Sequence, residues 1–130
     1  MSFSPPSGKK VLGAYSPCRP IDLGAVKLVF LSGLTSAGEA PHDTRGQAQI
    51  IFDKMAQLLG DEGGRLDHLV KITAFLSDIR DYDAYNEVRN KIFAAAGKPP
   101  ASATIGGANL VRPEARIEIE GVAVIPKPGS

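Results

Sequence analysis

Two carboxylates stand two residues apart near the end of the 130-residue chain, Glu118 and Glu120 in the run Arg116-Ile-Glu-Ile-Glu-Gly-Val-Ala-Val124. In a strand, successive side chains point to opposite faces. Ile117, Ile119, Gly121 and Ala123 then share one face, and Arg116, Glu118, Glu120, Val122 and Val124 share the other. A row that begins with charges and continues into valines is open at one end and packed at the other. A carboxylate at that border is partly desolvated, which raises its pKa and suits it to proton transfer with water. The competing reading is that both glutamates pair with Arg or Lys across strands and only fix register. Spacing alone favours that plainer reading.

Other reactive side chains offer less. Cys18 is the only cysteine, so no intrachain disulfide can form, which fits a reducing, cytoplasmic setting. No base is placed beside it, so it reads as an inert thiol. His42 and His68 are far apart and lack a ligand cluster, so the reading carries no metal and no cofactor. Gly106-Gly107 does not lead from a strand into a helix and is a bend or bulge rather than a phosphate loop.

Bulk properties narrow the classes. The length is that of one domain, 1–130, with a loose Ser/Pro/Gly/Lys arm over 1–9 and a tail over 125–130. A chain this small gains from burying more surface by self-association. Fifteen basic and 14 acidic residues leave a net charge of +1, and aromatics are scarce. That balance gives no basic stripe for a nucleic acid. No apolar run approaches membrane-spanning length, and the first ten residues lack the apolar heart of a signal peptide.

The elements that must position the glutamates follow from periodicity. Val11–Tyr15 reads as a short edge strand, ended by a turn at Ser16-Pro-Cys-Arg-Pro20 because each proline lacks an amide donor. Val26–Gly33 is strongly β-prone, and its near-continuous apolarity predicts a strand covered on both faces. Asp43 or Thr44 caps a helix to about Leu59, with Ala48, Ile51, Met55, Leu58 and Leu59 on its apolar face and Gly60, Gly63 and Gly64 at its end. His68–Leu76 is the next strand, with Leu69, Lys71, Thr73 and Phe75 alternating against Val70, Ile72, Ala74 and Leu76. Asp81 caps a second helix that turns Tyr85, Val88, Ile92 and Phe93 inward. Gly97-Lys-Pro-Pro100 breaks it, and strands follow at Ala101–Gly106 and Arg116–Val124. The order β-β-α-β-α-β-β lacks strict βα alternation, so the expected class is α+β, a mixed sheet with two helices on one face.

Five short motifs in this order resemble the RidA/YjgF family, small proteins that hydrolyse reactive enamines and imines. They are Ala14-Tyr-Ser16, Phe30-Leu-Ser-Gly33, Val70-Lys-Ile-Thr-Ala-Phe-Leu-Ser-Asp78, Tyr82-Asp-Ala-Tyr-Asn-Glu-Val88, and Pro100-Ala-Ser-Ala-Thr104 followed by Ile117-Glu-Ile-Glu120. The resemblance spans Ala14 to Val124. It implies a chorismate-mutase-like fold, a homotrimer, and pockets for small molecules, carboxylic acids among them, in the clefts between subunits. By position, Tyr15, Ser32, Asn86, Ser102, Thr104 and Glu118 would line such a cleft. Glu118 would hold or activate the attacking water, and Glu120 would be structural.

Each position also has a plain reading. Tyr15 packs an interface, Ser32 eases the strand into Gly33, Asn86 bonds backbone, and Thr104 is an ordinary β-branched strand residue. Where the family signature has an arginine that grips the substrate carboxylate, this chain has Ser102. Losing a charge-paired contact of that kind costs about 2–5 kcal/mol, or roughly tenfold to several thousandfold in binding. The resemblance is thus to a branch that lacks the arginine, with weak action on 2-aminoacrylate. Arg19, Arg89 and Arg112 are the candidate replacements, each reading first as a solvated surface arginine. The alternatives to a hydrolase are a non-catalytic ligand-binding trimer and, with less support from the charge balance, a ribonuclease or translation inhibitor.

Overall fold

The computed structural model describes residues 13–95 and 98–128. Five strands form one mixed sheet: β1 (Cys18–Asp22), β2 (Val26–Leu34), β3 (Leu69–Leu76), β4 (Ala101–Ile105) and β5 (Ile117–Pro126). Two helices, α1 (Thr44–Asp61) and α2 (Tyr82–Phe93), pack on one face. The spatial order is β1-β2-β5-β3-β4. Only β3 and β4 run parallel, and α2 is the crossover that parallel neighbours require. The class is α+β, as the element order predicts.

Val29 and Leu31 of β2, Ile72 and Ala74 of β3, and Ile117, Ile119 and Ala123 of β5 meet Ile51, Phe52, Met55 and Leu59 of α1 in the core. Each such large apolar side chain contributes about 1.5–3 kcal/mol over leaving it in water. Phe52 of α1 and Phe93 of α2 meet edge to face at 5.6 Å, and Arg45 pairs with Glu87 across the two helices. The Asp43 carboxylate caps α1 by accepting from the Gly46 amide at 2.9 Å. Beyond Asp61 the chain turns through Gly63, whose φ of +82° is costly for other residues.

Several expectations are corrected. The arm expected over 1–9 and the start of the strand expected at 11–15 lie outside the described residues, and Gly13–Tyr15 are bends. The edge strand is instead Cys18–Asp22, which begins within the Ser16–Pro20 segment expected to be a proline turn and runs past it. Its register with β2 explains why. The Ser32 amide donates to the Pro17 carbonyl and the Leu23 amide to the Val26 carbonyl, so the pair Pro20 and Val29 falls at a non-hydrogen-bonded position. The missing amide of Pro20 therefore faces the open edge, where nothing asks for it.

β2 is not covered on both faces, since the helices take Val29 and Leu31 while Phe30 remains 42% exposed. β3 does not alternate cleanly, because a bulge at Val70 brings Leu69 and Ile72 to the same side. Asp81 precedes α2 but makes no capping bond; its carboxylate lies 3.7 Å from Arg116. The carboxylate that turns the chain is that of Asp78, which accepts from the Arg80 amide. The tail begins later than residue 125. Ile125 pairs with Lys27 and is 2% exposed, and Lys127 holds Asp22 at 2.7 Å.

Candidate functional site

Glu118 lies where the alternation of β5 predicts, on the face without helices, opposite Phe75 of β3. A buried glutamine fixes that register. Gln47 of α1 accepts from the Arg116 amide at 2.8 Å and donates to the carbonyls of Glu114 and His42. It anchors the loop just before β5, so the strand enters with its isoleucines toward the helices and Glu118 away from them. A bulge in β2 shapes the other wall. Ser32 and Gly33 together stand against Glu120, and the Glu118 carboxylate folds over the bare α-carbon of Gly33. A β-carbon there would sit 2.6 Å from Glu118 Oε2, so only glycine leaves that space.

Glu118 is half-buried and, among the described residues, has no ion-pair or hydrogen-bond partner. Burial raises its pKa above the ordinary carboxylate value, and the charge of Glu120 pushes in the same direction. A carboxyl of this kind is a stronger proton acceptor than a free one when it is ionised, and it keeps its proton to a higher pH, so a donor form is also available nearer neutrality. The Ser32 hydroxyl donates to the Ser16 carbonyl at 2.6 Å and so ties the Tyr15–Ser16 segment to the bulge. Tyr15 is exposed beside it.

Ser102 and Thr104 are elsewhere. They pair with Ile72 and Ala74 of β3, whose side chains are buried under the helices, so both point to the helix side. Within one chain the sheet stands between Ser102 and Thr104 on one side and Glu118 on the other, so an intersubunit cleft holding all three would draw them from two subunits. The β4 positions that share the side of Glu118 are Ala101, Ala103 and Ile105.

On the helix side a second polar group assembles. Arg89 of α2 donates through Nη1 to Ser102 Oγ at 3.0 Å and through Nη2 to the Tyr82 hydroxyl at 2.8 Å and to Asn86 Oδ1. Its guanidinium lies 5.0 Å from the ring centre of Tyr85 and 5.6 Å from that of Tyr82. Asn86 thus serves a side chain rather than backbone. Arg89, expected as a solvated surface arginine, is half-buried against neutral partners. Arg112 instead approaches Glu114, and Arg19 is exposed on the edge strand. Tyr82, Tyr85, Asn86 and Arg89 recur at intervals of three, one and three, the stripe of one helix face. That spacing was the sequence signal for this cluster. Among the described residues, no group of three or more His, Cys, Asp or Glu is placed to hold a metal. None of the described helices is long and apolar enough to cross a membrane.

The chain matches the model of the Endoribonuclease L-PSP family over residues 9–125. It is 33% identical over 120 residues to Protein DfrA of Myxococcus xanthus, covering 88% of each chain. It is 29% identical over 128 residues to a 2-iminobutanoate/2-iminopropanoate deaminase of Dermatophagoides farinae, covering 95% of this chain and 94% of the other. Among solved structures it resembles Escherichia coli TdcF with bound serine, at 28% identity and a TM-score of 0.75, over 88% of this chain and 90% of that one.

Proposed function

Since the chain belongs to the RidA/YjgF family of reactive-intermediate deaminases, we propose that it hydrolyses small imines and enamines by adding water at Glu118. The observation that carries this reading is the half-buried Glu118 carboxylate, without a bonded partner among the described residues, folded over Gly33 and with its pKa raised by burial. In the reaction an enamine first tautomerises to its imine. The imine reacts in its N-protonated form. Glu118 takes a proton from water as the water oxygen bonds to the imine carbon and the C=N π electrons pass to nitrogen, giving a neutral carbinolamine. Glu118 returns that proton to the nitrogen. The C–N bond breaks to release ammonia while the hydroxyl oxygen forms the C=O bond and gives its proton to water, and a carbonyl compound remains.

The active form is a homotrimer. Phe30, Val122 and Val124 lie on the sheet face without helices, and a second copy covering that face would exclude water around Glu118. Tyr15 and Ser32 border the same opening. At the signature arginine position the chain has Ser102, and Ser102 faces away from Glu118. The neighbouring β4 position on the side of Glu118 is Ala103. Neither residue offers a bidentate clamp for a carboxylate. Turnover of 2-aminoacrylate is therefore weak relative to imines held by contacts other than such a clamp.

A second reading is a trimer that binds a small ligand without turning it over. It is favoured by the lack, among the described residues, of any arginine or lysine bonded to Glu118. The near balance of charge gives no electrostatic footprint for RNA. The deciding measurement is release of ammonia and 2-oxo acid from enzymatically generated 2-aminoacrylate and 2-iminobutanoate. The protein should accelerate release over buffer, and Glu118→Gln should lose about a hundredfold of that acceleration. Thermal stabilisation by a ligand with no acceleration on either substrate would leave the binding reading and remove the hydrolase.

A further inference from the structure

An apolar row leads away from Glu118 across the sheet. The register partner of Glu118 on β3 is Phe75, and that of Phe75 on β4 is Ile105, so the three side chains line up on the face without helices. Phe75 is half-buried and Ile105 is 45% exposed. An exposed isoleucine in a row that ends at a reactive carboxylate is surface for an apolar group to cover. Next on that side of β4 is Ala103, whose small side chain leaves a step beside Ile105. The end of β4 is fixed, because Gly106 packs so closely on Ile79 that a β-carbon there would lie 2.5 Å from the Ile79 β-carbon. The wall therefore stands in place before a ligand arrives. Charge points the same way. The nearest cation along β5 is Arg116, and its guanidinium is turned to Asp81, 3.7 Å away. Lys71, the β3 cation on this side, is level with Val122 rather than with Glu118. A carboxylate laid on Phe75 and Ile105 would lose water and gain no counter-ion. Phe30, Val122 and Val124, assigned above to a covering copy, lie toward the other end of β5.

Given water addition at Glu118, as read above, we propose that Phe75 and Ile105 hold the body of the substrate, and that the preferred substrates are imines carrying an aryl or branched alkyl group and no carboxylate. Such an imine takes up one water and leaves as one aldehyde or ketone and one ammonia, with no oxidant or reductant. Phe75 and Ile105 bind and orient it, and proton transfer stays with Glu118.

The test compares two imines on the full-length protein. Acetophenone imine, the N–H ketimine, is added from dry solvent and its hydrolysis followed by absorbance. The small carboxylated comparison is 2-iminobutanoate, generated enzymatically. The acceleration over buffer, read as kcat/KM, should be at least about tenfold larger for acetophenone imine. Ile105→Asn keeps the size of the side chain and removes its apolar character. It should lower kcat/KM for acetophenone imine by about tenfold, mainly through KM, and leave 2-iminobutanoate within about twofold of the parent. Ile105→Leu should keep the parent preference. An equal or smaller acceleration of acetophenone imine overturns the proposal. So does an equal loss on both imines in Ile105→Asn, or a loss in Ile105→Leu as large as in Ile105→Asn. Acceleration of 2-iminobutanoate alone, abolished in Glu118→Gln, would remove this substrate class and leave the reading of Glu118 standing. Acceleration of neither imine, or full activity of Glu118→Gln on both, would remove the two together.

Discussion

The two faces of the sheet handle charge in opposite ways. On the helix side, Arg89 is held by three neutral hydrogen-bond partners and lies beside two aromatic rings, so its position is set before any ligand arrives. On the other side, Glu118 has no bonded partner among the described residues and is placed by a glycine and a bulge. A fixed cation suits recognition, because ordering costs less at the moment of binding. A lone, partly desolvated carboxylate suits proton transfer, because neither of its protonation states is locked by a counter-ion. The sheet thus sets the fixed guanidinium and the lone carboxylate on opposite sides of one chain.

The widest separation between the faces comes from adding the same guanidinium to each. Ala103→Arg places it on the side of Glu118, where it should raise turnover of 2-aminoacrylate by tenfold or more, roughly the lower bound for restoring a charge-paired contact. Ser102→Arg places it against Arg89, where like charges repel. It should lower the melting temperature by several degrees, on the order of 1–2 kcal/mol for a chain of this size, without raising turnover. Equal gains from both substitutions, in parallel assays and melts, would mean that the faces are not distinct in the assembled protein.

Gly33→Ala probes the open face alone. The atom in the way is the far end of a flexible side chain, so stability should change by less than about 1 kcal/mol. Displacing the carboxylate should still slow imine hydrolysis by about tenfold, since small misplacements of a reacting group are costly. A normal rate in a well-folded variant would show that the position of Glu118 over Gly33 is unimportant.

The pH dependence of stability tests the same carboxyl more gently. Its folded-state pKa is raised, so the folded chain holds the proton more tightly than the unfolded one. The stability this contributes is present below the unfolded value near 4.5 and is lost as pH rises through the folded value. Glu118→Gln should therefore melt about 1–2 °C above the parent at pH 7, a small gain for a half-exposed group, and the gap should close toward pH 4. A gap that widens on acidification would reverse the sign and point to a hidden cation. A separate test, away from both faces' polar groups, concerns Cys18, whose thiol is pushed up to about 11, first by burial and then by Glu62 and Asp61. It should react with a maleimide at pH 7 far more slowly than a free cysteine, by one or more orders of magnitude. A rate matching that of free cysteine would contradict the burial.

Much of this molecule was legible because its periodicities are clean. The faces of β5, the apolar stripe of α1 and the cap at Asp43 follow from spacing and residue type, and they reappear in the fold. The errors sit where a local rule met a non-local partner. Pro20 looked like a breaker, and only the register against Val29 shows that its missing amide faces outward. The bulge at Val70 is invisible in a run that alternates on paper. Arg89 looked like any surface arginine, because its three partners come from two elements and their meeting depends on how α2 crosses β4.

The sequence by itself determined the family, the α+β order of elements and the face of β5 that carries Glu118, because each rests on residues close together in the chain. Only the tertiary structure decided that Ser102 and Glu118 stand on opposite sides of the sheet. That outcome depends on the register of β4 against β3 and of β3 against β5, and a shift of one residue in either would have reversed it.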